Sequence, residues 1–292
     1  MLDRSCSLRY VRSINKLTTA KRAEILGMMV EGVSIRAMSR MTGASKNTIV
    51  KLLADAGNAC AEFQDRAFRN LTCHRLQCDE IWSFCYAKQK NVPAEKRGVF
   101  GYGDVWTWAA IDADTKLVPC WHVGRRDADS AHDFMMDLSN RLANRVQLTT
   151  DGNRAYLGAI DGAFGTMIDY AMLVKIYGAT SDAEGRYSPP VCTGTHRTVI
   201  HGQPDPAHIS TSYVERANLS MRMGVRRFTR LTNAFSKKLE NHIHALSIYF
   251  MHYNFVRIHQ SLRDSPAMEA GVTDKLWSVE DVVRIVDDWE TA

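Results

Sequence analysis

Apolar residues near the start of the chain recur with the spacing of short amphipathic helices. The pattern predicts helices over residues 17–31, 35–41 and 46–54. A Thr-Gly-Ala turn at residues 42–44 separates the second helix from the third, and a serine suited to N-capping precedes each of these two. Two short helices around a glycine-containing turn are typical of the helix-turn-helix, whose second helix lies in the DNA major groove. The alternative is a helical hairpin that serves only for packing.

The middle of the chain changes to the short apolar runs of β-strands. One run surrounds Asp79, two more at 105–111 and 117–123 flank an Asp-Ala-Asp-Thr turn, and a fourth covers 146–150 after a helix predicted at 127–142. The order strand, strand, strand, helix, strand, helix is that of an RNase H-like mixed sheet. The predicted fold class is therefore α/β: an RNase H-like catalytic domain preceded by an all-α helix-turn-helix domain.

These patterns divide the chain into four parts. We predict a helix-turn-helix DNA-binding domain at 1–58, a helical connector at 59–72, the catalytic domain at 73–272 and an acidic C-terminal helix at 273–292. Within the catalytic domain, residues 175–212 form an insert that lacks periodicity and holds four of the seven prolines. Its cysteine and three histidines allow a zinc site, but they include no close ligand pair, so ordinary loop residues are the favoured interpretation.

Charge is strongly segregated along the chain, although the net charge is only +5. Residues 1–53 carry ten basic and three acidic residues, 213–263 carry nine and two, and 264–292 carry two and eight. Two basic blocks indicate two separate contacts with a polyanion, whereas two solvated helix faces are the alternative. No apolar run reaches membrane-spanning length, the N-terminus lacks a signal-peptide core, and no Cys-x-x-Cys pair occurs among seven cysteines. These features predict a cytoplasmic, nucleoid-associated prokaryotic protein without a membrane partner.

Three acidic residues occupy the positions that a metal-dependent phosphodiester site requires. Asp79 lies in the first apolar run, Asp151 ends the fourth, and Glu215 opens a basic helix. Taken singly, Asp79 is interpreted as an edge charge, Asp151 as a turn residue and Glu215 as an exposed helix residue. Taken together, they predict an oxygen-only pocket for two Mg²⁺ ions, for which Mn²⁺ can substitute. Glu80 is a weaker candidate because strand alternation places it on the opposite face from Asp79.

The helix from Val214 combines a core stripe with a charged face. Glu215, Arg222 and Arg226 share a stripe about a quarter turn from the apolar one that runs to Phe228. Arginine suits phosphate contact through its planar fork, so a metal-ligating carboxylate and DNA-holding arginines fit one site. The predicted DNA-contacting residues are Lys46, Asn47, Thr48, Lys51, Arg222, Arg226, Lys237 and Lys238.

Five segments together resemble a known family. They are Cys78–Ser83, Asp151–Tyr156, Tyr213–Arg222, Arg230–Lys238 and Tyr253–Arg263. In these segments the chain resembles a DDE-class insertion-sequence transposase of the small bacterial type with a helix-turn-helix ahead of an RNase H-like domain. Together they span most of residues 73–270.

The resemblance implies that Asp79, Asp151 and Glu215 are the DDE triad and that a homodimer acts with Mg²⁺ on terminal inverted repeats. The expected function is a DNA transposase that hydrolyses phosphodiesters at the element ends and joins the 3′-OH to target DNA by two-metal transesterification. Two departures are the missing cysteine zinc finger of some relatives and the long interval between Asp151 and Glu215. His259 lies in one of the matching segments, but no chemical role can be assigned to it.

Two other functions compete with this interpretation. One is a non-catalytic DNA-binding regulator derived from a transposase, against which the intact acidic triad argues. The other is an RNase H-type nuclease, which would need neither the helix-turn-helix nor the basic helix. The sequence leaves open the terminal repeat, the target preference, the copy or cut pathway, and the oligomeric state of the active complex.

Overall fold

The chain folds around one six-stranded mixed sheet. The computed structural model describes residues 16–178, 191–229 and 233–292. The strands are β1 Arg75–Cys85, β2 Gly103–Asp112, β3 Cys120–Gly124, β4 Val146–Thr150, β5 Ile168–Tyr177 and β6 Cys192–His201. The helices are α1 Thr19–Val30, α2 Ile35–Thr42, α3 Lys46–Ala67, α4 Ala128–Ser139, α5 Ala155–Phe164, α6 Ser212–Gly224, α7 Leu239–Met251, α8 Pro266–Glu269 and α9 Val279–Thr291. Within these ranges, no helix has the length and apolar character needed to cross a membrane.

The strands run in the order β3-β2-β1-β4-β5-β6. β1, β2 and β3 pair antiparallel, β4 is parallel to both β1 and β5, and β6 returns antiparallel to β5. Parallel neighbours need a crossover connection, which α4 provides before β4 and α5 provides before β5. The sequence-based prediction of a mixed α/β sheet is confirmed.

Helices cover both faces of the central strands. On one face Trp108 of β2 packs edge-on against Tyr156 of α5, with ring centroids 5.3 Å apart, and near Phe134 of α4 at 6.1 Å. On the other face Ile81 of β1 lies in an apolar cluster with residues of α6 and α7. α7 also contributes to the cluster on its far side, where α3 packs. A helix that is apolar nearly all round is expected in such a buried position.

α3 is one continuous helix of 22 residues. The third predicted helix and the predicted connector are therefore a single element, which passes without a break through residues 58 and 59. α3 packs along α7, and α9 packs on both α1 and α3. The buried Arg22 of α1 donates a hydrogen bond to Asp287 of α9 at 2.8 Å. The N-terminal helices thus share one apolar core with the sheet and the last helix.

Part of the predicted insert belongs to the sheet. β5 ends at Tyr177 and β6 covers Cys192–His201, while the prolines at 189 and 190 lie outside the described residues. β6 is an edge strand with mostly exposed residues, so its sequence needs no alternation of apolar and polar positions. That is why the pattern predicted no strand there.

The basic helix is shorter than the sequence pattern predicts. α6 ends at Gly224, because Val225 takes an extended conformation at φ −92° and ψ 106°, and Arg226 begins a separate 3₁₀ turn. The loop after α1 approaches closely here: a Cβ atom on Gly32 would lie 2.8 Å from the carbonyl oxygen of Gly224. The predicted core stripe is buried as far as Phe228, but the shared helical face of Glu215, Arg222 and Arg226 stops before Arg226.

We expect Gly57→Ala to destabilise the protein by about 1–3 kcal/mol. Its new Cβ would lie 2.4 Å from the Cβ of His244, so α3 and α7 would have to separate. The control is Gly27→Ala in α1, where nothing lies within 4 Å, and which should stabilise the helix by about 0.5–1 kcal/mol. Urea unfolding of both variants measures the difference. Equal midpoints for the two would contradict the tight α3–α7 packing.

Candidate metal centre

The candidate site lies where β1 loses one of its two neighbours. β1 pairs with β2 from Leu76 to Cys85, but with β4 only from Arg75 to Cys78. β4 ends at Thr150, so the edge of β1 from Asp79 onwards is open until Cys85 meets Ser236 in an isolated bridge. The residue after β4 and the residue at the start of the open edge are therefore brought together.

Three carboxylates converge at this point. Oxygen atoms of Asp79, Glu80 and Asp151 all lie within 4.8 Å of one another. Within the described residues this is the one group of carboxylate, histidine or cysteine side chains close enough to hold a metal ion. An all-oxygen ligand set suits Mg²⁺, Mn²⁺ or Ca²⁺ rather than zinc.

Asp79 is the most strongly perturbed of the three. Burial raises the pKa of its carboxyl from 3.8 to about 7, and the charges of Glu80 and Asp151 add to this effect. Two hydrogen bonds act in the opposite direction: the backbone N–H of Glu80 donates to Asp79 at 2.8 Å and the side-chain amide of Asn218 donates at 2.9 Å. A bound divalent cation would remove the repulsion that these donors offset only in part.

Glu80 and Asp151 are held by two shared partners. Asn153 donates its side-chain N–H to Glu80 at 3.0 Å and its backbone N–H to Asp151 at 2.9 Å. Arg126 donates to Glu80 at 3.3 Å and lies 3.7 Å from Asp151. Burial raises the pKa of Glu80, as does the charge of Asp151. Asp79 and Glu80 extend from opposite faces of β1 and therefore have different hydrogen-bond partners. Their carboxylate oxygens nevertheless come close together at the open edge.

Glu215 lies on α6, nearly one helical turn before Asn218, which contacts Asp79. Gln77 of β1 accepts hydrogen bonds from the backbone N–H groups of Tyr213 and Val214, at 2.8 and 3.2 Å, and so fixes the start of α6 against β1. Glu215 accepts a hydrogen bond from Thr211 at 2.7 Å and forms an ion pair with Lys175 of β5. It is therefore occupied by a cation of the protein itself and is not one of the three converging carboxylates.

The structure thus brings together two of the three predicted acids, Asp79 and Asp151, and adds Glu80. From the sequence, Glu80 is a weaker candidate, and neither Asn218 nor Lys175 is predicted to belong to the site. Asn218 carries no local signal, because its contact with Asp79 spans 139 residues of chain. The metal-ligating role of Glu215 stays a prediction.

The predicted DNA-contacting residues occupy three separate places. At the start of α3, Lys46, Asn47 and Lys51 are exposed, whereas the half-buried Thr48 donates its backbone N–H to the capping Ser45. Arg222 is half-buried on α6 and Arg226 is exposed beyond its end. Lys237 and Lys238 are exposed before α7.

Comparisons with known proteins give distant structural similarity. The Mos1 strand transfer complex is 11% identical with a TM-score of 0.34, covering 97% of this chain and 82% of that chain. The piggyBac transposase synaptic complex with hairpin DNA is 11% identical with a TM-score of 0.37, covering 93% and 70%. No family model matches the chain, and no curated protein matches it significantly. TM-scores this low do not establish a shared fold, so the functional assignment depends on the chain's own residues.

We expect Asp79→Asn to stabilise the metal-free protein, and to do so more at pH 8 than at pH 5. The folded-state pKa of Asp79, about 7, is above its ordinary value of 3.8, so its ionisation opposes folding increasingly as pH rises through that window. Each unit of such a shift corresponds to about 1.4 kcal/mol, and we expect a gain of at least about 1 kcal/mol at pH 8.

Thermal unfolding at both pH values, with and without MgCl₂, measures this effect. Mg²⁺ should raise the unfolding midpoint of the wild-type protein and lose that effect in Asp79→Asn. The exposed Asp133→Asn on α4 is the matched control. A wild-type response to Mg²⁺ that persists in Asp79→Asn would exclude Asp79 as a ligand.

Proposed function

We propose that the protein is a DNA transposase of the DDE type, acting on the ends of an insertion sequence. The observation that carries this proposal is the convergence of Asp79, Glu80 and Asp151 at the open edge of β1, beside the Glu215 helix. Crowded carboxylates favour a bound divalent cation, and their oxygen donors favour Mg²⁺ or Mn²⁺. When bound, two such ions supply an activated water and stabilise the leaving oxygen of a phosphodiester.

Glu215 completes the triad in this proposal by exchanging its partner. Asn218, which contacts Asp79, lies three residues after Glu215 and so nearly one helical turn away. Glu215 is now paired with Lys175. We propose that it turns from Lys175 towards Asp79 when metal binds. Because Gln77 anchors the start of α6, the proposed change is one of the Glu215 side chain rather than of the helix.

The residues around the carboxylates position them and the scissile strand. Asn153 holds Glu80 and Asp151 in one arrangement, and Asn218 orients Asp79. Arg126, whose side chain is 44% exposed, is available to contact a DNA phosphate beside the site. Such positioning contributes strongly to rate, because in-line attack tolerates little misplacement of the reacting phosphate.

The helices α2 and α3 are proposed as a helix-turn-helix that recognises the terminal inverted repeats. α2 ends at Gly43, which has φ +73°, and Ser45 caps α3. This tight turn leaves Lys46 and Asn47 exposed at the start of α3, where a recognition helix contacts bases. Lys237 and Lys238 are proposed to contact the DNA backbone, target DNA is the second substrate, and a homodimer brings two element ends together.

The competing functions differ in their products. A labelled element end incubated with protein and Mg²⁺ stays intact with a non-catalytic regulator. A hybrid nuclease cuts an RNA–DNA hybrid and leaves the duplex. A transposase nicks the duplex and joins its 3′-OH to a second DNA.

We expect Asp79→Asn, Asp151→Asn and Glu215→Gln each to lower Mg²⁺-dependent nicking by at least about 100-fold, since each removes a ligand charge while keeping side-chain size. Duplex binding should persist in all three. Asp133→Asn is the matched control and should nick normally. Single-turnover cleavage and gel-shift assays measure the two quantities. Near-normal nicking by any one of the three variants would remove that residue from the triad.

We expect Asn47→Ala to weaken binding to the element end by about 1–3 kcal/mol and to relax specificity at one base pair. Asn47 is exposed at the start of α3, and asparagine suits adenine in the major groove. Lys51→Ala should have a smaller effect that is equal on all sequences, because Lys51 already pairs with Asp55. Binding titrations on specific and random duplexes compare the two. Unaltered binding by both variants would exclude α3 as the reading helix.

A further inference from the structure

A cavity of about 750 Å³ opens along the same edge of β1 as the carboxylates. It is lined by residues from β1, from the loop that follows β1, and from the described segments on either side of residues 230–232. At about 3.3 Å per residue, Ser83 and Phe84 lie roughly 13–17 Å along β1 from Asp79. About four or five stacked nucleotides span that distance. The cavity is therefore within reach of a DNA strand that passes the acidic site.

The apolar wall of the cavity consists of aromatic rings. Phe84 and Phe235 have ring centroids 4.8 Å apart, and Trp82 lies 5.8 Å from Phe84. Phe235 is held next to β1 because Tyr86 donates its backbone N–H to the carbonyl of Ser236 at 2.8 Å. Half-buried rings of this kind offer flat surfaces on which a nucleobase can stack.

Among the described residues, every charged side chain that lines the cavity is positive. Its charged lining residues are Lys88, Lys90 and Arg227, and none of its described lining residues is acidic. Arg227 donates a hydrogen bond to Ser236 at 2.7 Å and forms no ion pair with a described carboxylate. Burial lowers the pKa of Arg227 to about 10. A half-buried guanidinium without an anionic partner is costly, and a phosphate would supply that partner.

We infer that this aromatic cavity binds an unpaired nucleotide of the DNA strand that reacts at the carboxylates. The base stacks on Phe84 and Phe235, and a backbone phosphate pairs with Arg227. At about 750 Å³ the cavity has the size of a pocket for a small ligand rather than of a groove for a duplex. Rings stack only on a base that has left its own base stack. An acidic peptide would form ion pairs with Arg227 and the lysines, but its acidic side chains would not stack on the three neighbouring rings. This inference rests on the proposed function, because the cavity would bind the DNA strand on which the proposed transposase acts.

The test measures binding of the full chain to fluorescein-labelled oligothymidylate without metal. Phe235→Leu, which keeps apolar volume but loses the ring, should weaken binding by about five- to hundredfold. Phe235→Trp should restore it. Arg227→Gln should weaken binding and flatten its salt dependence, because fewer counterions are released. Phe164→Leu, at the end of α5 far from Asp151, is the matched control and should bind normally.

Circular dichroism confirms folding of each variant. Wild-type affinity of folded Phe235→Leu for oligothymidylate, or equal losses in Phe235→Leu and Phe164→Leu, overturns the inference. Binding to an acidic peptide that depends on Phe235 as strongly as DNA binding does would also overturn it. If the wild-type protein nicks DNA and Phe235→Leu binds oligothymidylate normally, the nucleotide site in the cavity is refuted and the proposed function is not. Ring-dependent binding without any nicking in Mg²⁺ supports the cavity and refutes the transposase.

Discussion

Repulsion between carboxylates at the open edge of β1 is the constraint around which the candidate site is built. Asp79, Glu80 and Asp151 lie within 4.8 Å of one another, and burial with mutual repulsion holds the pKa of Asp79 at about 7. Unlike charges and amide donors surround the group, yet they compensate it only in part. Folding therefore produces a site whose electrostatics favour a bound cation.

β4 ends early, and this leaves part of the edge of β1 without a strand partner. Because β4 pairs with β1 only as far as Cys78, the remaining edge of β1 is free to face a strand of nucleic acid. The carboxylates lie at one end of that edge, and the rings of Phe84 and Phe235 lie at the other. One interruption in strand pairing thus places the carboxylate group and the aromatic cavity along the same edge, as the proposed function and the proposed nucleotide site both require.

The sequence predicted elements with strong local periodicity and missed those fixed by distant contacts. β2, β4 and α4 follow clear patterns, and the sheet brings Asp79, in the middle of β1, next to Asp151, which directly follows β4. β5 was missed although Ile168–Val174 is largely apolar, since a short apolar run does not distinguish strand from helix. The partners of the carboxylates could not be predicted: Arg126 and Asn153 reach Glu80 across 46 and 73 residues of chain.

Lys175 gives Glu215 an ion-pair partner of its own, so two of the three predicted metal ligands lie together and the third does not. Without a cation, a fourth carboxylate would add to the repulsion that already raises the pKa of Asp79. Lys175 offers Glu215 a favourable partner on β5 instead. In the proposed function a divalent cation reverses this preference, because its two charges attract the Glu215 carboxylate more strongly than the single charge of the Lys175 ammonium group does. In the proposed function, assembly of the triad is coupled to metal binding by electrostatics, while Gln77 and Asn218 hold α6 against β1.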